Sequence, residues 1–221
     1  MPVRRSRPYA FPAALFPIVV ALAPLRGASQ EATTAPADTV VLRLAADGTR
    51  ARYRVREQLA GFELPNDAVG ESSAVTGRMV LAEDGSVDAS RSRFVLDVAT
   101  LKSDQDRRDN YLRRRTLEVE AHPTVVLVPT GLSGVTSPLP KEGTAPFRLE
   151  ADLTVKGVTR RTVWEGEATF GPEGVEGSAV TRFTFDDFEL AKPRLARLLS
   201  VADTIALELD FRLVRETATQ R

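Results

Sequence analysis

One histidine, a pair of adjacent aspartates and an arginine-rich stretch hold most of the side chains here that could do chemistry. His122, the sole histidine, precedes Pro123 at the entrance to the apolar run "TVVLV" (124–128). One imidazole cannot build a metal site by itself, and a Ser-His-Asp triad would have to be assembled around this single residue. Surface or packing duty is the simpler role. Asp186 and Asp187 offer the two carboxylates that a dyad or a calcium site needs, but neighbours on a strand point to opposite faces, so "FTFDDFEL" reads as a turn or an edge. "GPEGVEG" (171–177) has the glycines of a phosphate loop without the strand-to-helix setting such a loop requires. The sequence contains no G-x-S-x-G, Walker A or H-E-x-x-H motif. It also lacks cysteine, which removes thiolate nucleophiles, disulfides, zinc ribbons and cysteine-linked lipid together. The chain therefore reads as a non-enzyme with no catalytic residue, cofactor or metal.

The most charged stretch is "SDQDRRDNYLRRR" (103–115). Ser103 can N-cap a helix whose first turn holds Asp104 and Asp106 and whose last holds Arg113, Arg114 and Arg115, the polarity that complements the helix dipole. Asp109 and Arg113 form an i, i+4 pair in the favourable order. Five arginines against three aspartates leave only +2, with Tyr111 as the one aromatic, and the whole chain balances 30 basic against 30 acidic residues. No field draws it onto nucleic acid. A short solvated helix, resting on the rest of the fold through Tyr111 and Leu112, is the natural reading.

The elements that must position these groups are strands. "TIALELDFRLVR" (204–215) puts Ile205, Leu207, Leu209, Phe211 and Leu213 on one face and Glu208, Asp210 and Arg212 on the other. The same alternation separates Ala51, Tyr53 and Val55 from Arg52, Arg54 and Arg56, and runs through Phe147, Leu149, Ala151, Leu153 and Val155. Such half-buried strands need antiparallel neighbours. Asp47-Gly48 and Asp84-Gly85 are strong hairpin signals, Lys156-Gly157 a weaker one, and "GPEG" (171–174) joins two more runs. About eight strands spaced by turns predict an all-β antiparallel sandwich or barrel, with residues 129–146 as a long surface loop.

Residues 1–29 belong to another regime: basic "MPVRRSR", then the uncharged apolar run Tyr9–Leu25 interrupted by three prolines. This reads as a secretory signal peptide, with cleavage before Gln30 or near Ala35–Ala37; an uncleaved N-terminal anchor is the competing reading. Either places the domain outside the cytoplasm, in the periplasm or beyond the cell. Its removal leaves 26 basic against 30 acidic residues, net −4, and no membrane span is expected after processing. Residues 30–39 read as a linker, 40–215 as the domain and 216–221 as a flexible tail.

"SRFVLDVATLKSD" (92–104), Arg108-Asp109 followed by "YLR", "HPTVVLV" (122–128), "LTVKGVTR" (153–160) and "SVADTIALELDF" occur in an order that resembles the YceI-like family. The resemblance spans residues 40–215. It implies a secreted bacterial lipocalin-like β-barrel of about eight strands, with one short helix near 104–115, that holds a polyisoprenoid or another long-chain amphiphilic lipid. Family members often carry histidine near the first strands and two phenylalanines after the Arg-Asp helix. Here "YRVREQLAGFELPNDAVG" (53–70) and "RRTLEVE" (114–120) stand there instead, so the head group is left open. On this resemblance the ligand-binding residues are Phe94, Leu96, Tyr111, Leu112 and Trp164 at the lining or mouth. Arg108 would meet an anionic head group or form a structural ion pair with Asp109. A homodimer is compatible with the sequence. The alternatives are a stress-response or interaction module with a filled barrel, and a lipid-acting enzyme using His122 or Asp109.

Overall fold

A computed structural model describes residues 39–61, 63–194 and 198–216. The expected signal peptide (1–29), all but the last residue of the expected linker (30–39) and all but the first of the expected tail (216–221) lie outside the described residues. Strand periodicity becomes eleven β segments: β1 (Val40–Leu44), β2 (Arg50–Leu59), β3 (Asn66–Ser72), β4 (Val75–Leu81), β5 (Arg93–Asp97), β6 (Lys102–Ser103), β7 (Thr124–Ser133), β8 (Gly143–Val155), β9 (Val158–Phe170), β10 (Gly174–Thr184) and β11 (Leu198–Arg215). One helix, α1 (Asp106–Tyr111), runs into a π turn over Leu112–Thr116. Among the described residues no helix is long and apolar enough to cross a membrane.

The eleven segments make eight staves. β1 and β2 both run antiparallel to β11, with Leu44 opposite Leu213 and Arg50 opposite Asp210. They are one stave with an extra loop, residues 45–49, facing Phe211 and Arg212. β3 and β4 likewise continue one another, pairing with β2 and β1 in turn, and β5 with β6 make the third. Each stave is antiparallel to its neighbours, and the β1–β11 pairing closes an eight-stranded up-and-down barrel. The expected fold is the observed one.

Asp47-Gly48 is not a hairpin. The chain passes through it without reversing, and it forms a bulge that the Ala45 N–H ties to Arg212 O at 2.8 Å. Gly48, at φ 77°, supplies the left-handed residue such a bulge uses. The weaker signal, Lys156-Gly157, is the tight turn: both residues have positive φ, 49° and 78°, and join β8 and β9 directly, the two-residue geometry that matches strand twist. The loop expected over 129–146 shrinks to 134–142, because β7 and β8 extend into both its ends.

The three divided staves break at one level. Residues 45–49 interrupt the first, 73–74 the second, and a 3₁₀ turn at Val98–Thr100 the third. The Ser72 and Thr100 hydroxyls, 2.6 Å apart, tie two of these breaks together. Beyond that level β6 pairs with β3 alone, and α1 and its π turn occupy the space before β7 begins.

Alternation works as the sequence predicts. Leucine, valine and phenylalanine from all staves form one interior cluster, each fully buried side chain contributing about 1.5–3 kcal/mol. Outside, Arg50, Arg52, Arg54 and Arg56 pair with Glu71, Glu208, Asp210 and Asp67 on the flanking strands. These exposed or part-buried cross-strand pairs contribute little individually.

Gly166 marks a close backbone approach. A Cβ there would lie 2.1 Å from the Ser178 carbonyl oxygen and 2.9 Å from the Phe147 ring. Gly166→Ala is expected to lower stability by about 1–3 kcal/mol, read as a lower denaturant midpoint at constant m value. An unchanged midpoint would contradict the β8–β9–β10 register.

Candidate functional site

The barrel is not packed solid. At the end occupied by α1 its inward side chains surround a cavity of about 180 Å³, partly open, whose wall is nearly all carbon. Phe94, Leu96, Arg108, Tyr111, Leu112 and Trp164, the six residues singled out from the sequence, all line it. β2 contributes Ala51, Tyr53 and Val55, its predicted inward face, and β11 contributes Ile205, Leu207 and Leu209. A second hollow of about 70 Å³, with a wholly apolar wall, lies toward the opposite end. Phe94, Leu127, Trp164 and Leu209 line both. The Trp164 indole is fixed: its Nε1–H donates to Thr162 Oγ1 at 3.1 Å, and that hydroxyl donates to Ala151 O.

The polar side of the first cavity carries an ion pair that the sequence reading missed. On β2 the inward alternation of Ala51, Tyr53 and Val55 continues to Glu57, a buried carboxylate on an apolar face. Arg108 reaches it from α1 with Nη2 at 2.7 Å from Glu57 Oε1, its side chain only 15% exposed. Arg108 also contacts Asp104 and the Ser103 hydroxyl. The signal was in the sequence: a carboxylate in register with three apolar side chains needs a partner when buried.

The expected roles around Arg108 change accordingly. It makes no ion pair with Asp109. Asp109 is buried and accepts hydrogen bonds from the Ser103 N–H at 3.0 Å and the Ser103 hydroxyl at 2.6 Å. Ser103 is thus held by the helix rather than capping it; the N-cap is Gln105, without a side-chain cap bond. Arg113 does not pair with Asp109 either, since its guanidinium donates to Leu101 O at 3.1 Å. Arg108 is paired with both Glu57 and Asp104. The two groups that a catalytic reading would use lie off the cavity wall: Asp109 holds Ser103, and His122 packs against the Lys156-Gly157 turn. Among the described residues no cluster of three or more His, Asp or Glu could hold a metal ion.

Tyr53 lies flat over Gly70, where a Cβ would come within 2.3 Å of its ring. Its buried hydroxyl makes no well-formed hydrogen bond, although the Ser103 side chain lies close enough to favour its ionised form. Burial pushes its ionisation up to about 12, against the opposing pull of the Arg108 charge.

Residues 43–213 match the sequence profile of the family described as "YceI-like domain". The chain belongs to the YceI-like family. Solved structures share the fold at low identity. A polyisoprenoid-binding domain from Saccharophagus degradans superposes with a TM-score of 0.62 at 11% identity, covering 79% of this chain and 98% of that one. BcnA of Burkholderia cenocepacia gives 0.57 at 13%, covering 76% and 98%. A mutant form of a YceI protein of Campylobacter jejuni gives 0.56 at 14%, covering 72% and 91%. No curated protein matches the sequence.

Two outcomes test this YceI-like site. Arg108→Met strands a buried carboxylate and is expected to cost about 3 kcal/mol, most of it recovered in Glu57→Leu/Arg108→Met; a double variant no better than the single would refute the pair's closed accounting of charge. Tyr53 ionises near 10 when unfolded but is held protonated to about 12 when folded. Stability present below pH 10 should therefore fall as pH rises from 10 to 12, by on the order of 2 kcal/mol. Tyr53→Phe should flatten that part of the profile in denaturant titrations.

Proposed function

We propose that this YceI-like domain is a carrier that encloses the apolar chain of an amphiphilic lipid, a polyisoprenoid or fatty-acid-like molecule, within its barrel. One observation carries the reading: the closed barrel keeps an internal hollow walled almost entirely by carbon. Water has little to bond there, whereas an apolar chain gains about 0.8 kcal/mol per buried methylene. The description of the Saccharophagus degradans neighbour as polyisoprenoid-binding supports the same class of ligand. Binding needs no reaction, and we read the domain as non-catalytic. The basic, then apolar leader supports export to the periplasm or beyond the cell.

Volume bounds the cargo. An apolar cavity of about 150 Å³ takes a six-carbon ring, so the first hollow holds roughly seven chain carbons. Their burial amounts to a gross 5–6 kcal/mol, about, before the cost of ordering the ligand. The Arg108 charge beside the cavity is already met by Glu57 and Asp104, so the apolar chain rather than the head group carries the affinity.

Ala51 lines the first cavity, and Ala51→Phe should fill it. Uptake of a fluorescent fatty-alcohol analogue is expected to fall at least about tenfold in this variant, with thermal stability preserved. Equal uptake by both proteins would remove the cavity as the site. Organic extraction of protein purified from its native host should yield stoichiometric lipid; absence of lipid together with no analogue uptake would reject the carrier reading.

A further inference from the structure

Among the described residues, the large apolar side chains most open to water are Leu64, 76% exposed, and Leu199, 67% exposed. Strand pairing brings them to one place. Glu57 pairs with Asn66 across β2 and β3; Leu59 lies two residues beyond Glu57 and Leu64 two residues before Asn66, so both stand at the rim past that pair. On its other side Leu59 pairs with Leu198 of β11, the residue before Leu199. This is the α1 end of the barrel, since Arg108 reaches Glu57 there. Leu198 itself lines the first cavity, together with Leu190, Pro193 and Val201. Leucines therefore lead from solvent, at Leu64 and Leu199, past the half-buried Leu59 to the cavity wall. A single exposed leucine asks for no explanation, but two at the rim of an apolar cavity mark a surface of contact.

The charges on this rim narrow the partner. Arg107 and Arg194 are exposed at the same end as the exposed Glu63 and Asp106. Charges of both signs give no field to hold a polyanion or a strongly basic partner, and they match phospholipid head groups that carry both signs. We infer that the rim around Leu64 and Leu199 is a membrane-contact surface, and that the cavity takes its lipid from a zwitterionic bilayer touched there rather than from water. The inference rests on the carrier reading and adds the source from which the cargo is loaded. A long-chain lipid is scarce in water because every methylene left there is costly, so a carrier that touches the bilayer bypasses the slow escape of its cargo into solution. Two leucines bury little area, and the contact they make is shallow and reversible. A shuttle must leave the membrane again.

The test uses the full chain, phosphatidylcholine vesicles with and without phosphatidylglycerol, and a fluorescent fatty alcohol supplied either in the vesicles or in solution. The apolar run Tyr9–Leu25 is common to every variant, so the readout is the difference between variants. Leu64→Ser/Leu199→Ser should lower partition onto phosphatidylcholine vesicles at least about tenfold and slow alcohol transfer out of them by a similar factor. Uptake of alcohol from solution should stay equal, since neither leucine lines the cavity. Leu64→Trp should partition at least as well as the unaltered protein, and its added indole emission should shift to the blue on vesicles; this variant decides the outcome if the serine variant folds poorly. Equal partition and equal transfer by the serine variant, or no blue shift in Leu64→Trp, would overturn the membrane surface while the carrier reading stands. Binding that requires phosphatidylglycerol would overturn the match to zwitterionic heads. A dimer that the serine variant loses, in a protein that ignores vesicles, would assign the two leucines to a second copy of the chain instead. Alcohol taken up from neither source would bring down the carrier reading itself.

Discussion

Hydrogen bonding along β11 is the constraint on which the rest depends. Eighteen residues long, it pairs with β10 on one side and with both β2 and β1 on the other. That double engagement removes the free edges an open sheet would have. It also gives the sheet an inside: every second side chain on every stave must face the same enclosed space. If β11 paired with β10 alone, the leucines and phenylalanines of eight staves would face water on a curled but open surface. The bulge at 45–49 is part of this closure, since it lets one stave follow β11 through a change of register without losing either partner.

Closure alone would give a packed core. Two features keep this one hollow. Alanines at 51, 68, 151, 168 and 179 stand inward where larger residues would meet across the barrel. The helix, for its part, lies across the end of the barrel at a height set by Arg108 reaching Glu57 and by Asp109 holding Ser103. These polar contacts fix the helix while adding little polar surface to the cavity wall, so Leu112, Thr116 and Leu117 cover the space rather than fill it. The same arrangement explains why the arginine-rich stretch is no docking patch for polyanions: its most buried arginine is already neutralised within the fold.

Strand periodicity made the barrel wall legible. The inward faces of β2, β8 and β11 can be read from Ala51-Tyr53-Val55, Phe147 to Val155 and Ile205 to Leu213, because a period of two with one wet face admits a single orientation. The six residues chosen for the site all line the cavity, yet periodicity alone would have chosen many others as well, and that Phe94, Leu127, Trp164 and Leu209 line both hollows is visible only once four staves are brought together. The misread features were local signals overridden by long-range partners. Asp47-Gly48 has hairpin chemistry, but β11 offers both flanking segments a common partner and the chain runs straight on. Ser103 looks like an N-cap, but Asp109 is buried beside it and takes its hydroxyl. Glu57 was passed over because its partner, Arg108, is 51 residues further along the chain.

The order in which the staves can assemble follows from sequence separation. β8 and β9 pair over their full thirteen residues through a two-residue turn, so their loop-closure entropy is minimal. The seam between β1 and β11 joins residues more than 160 positions apart, as Leu44 with Leu213. Contacts of such different range form at different stages of folding, local hairpins first and the seam last. Until the seam zips shut, the interior is an open trough rather than a tube, and an oily molecule lying in it at that moment is enclosed as the protein matures, without having to thread past the helix.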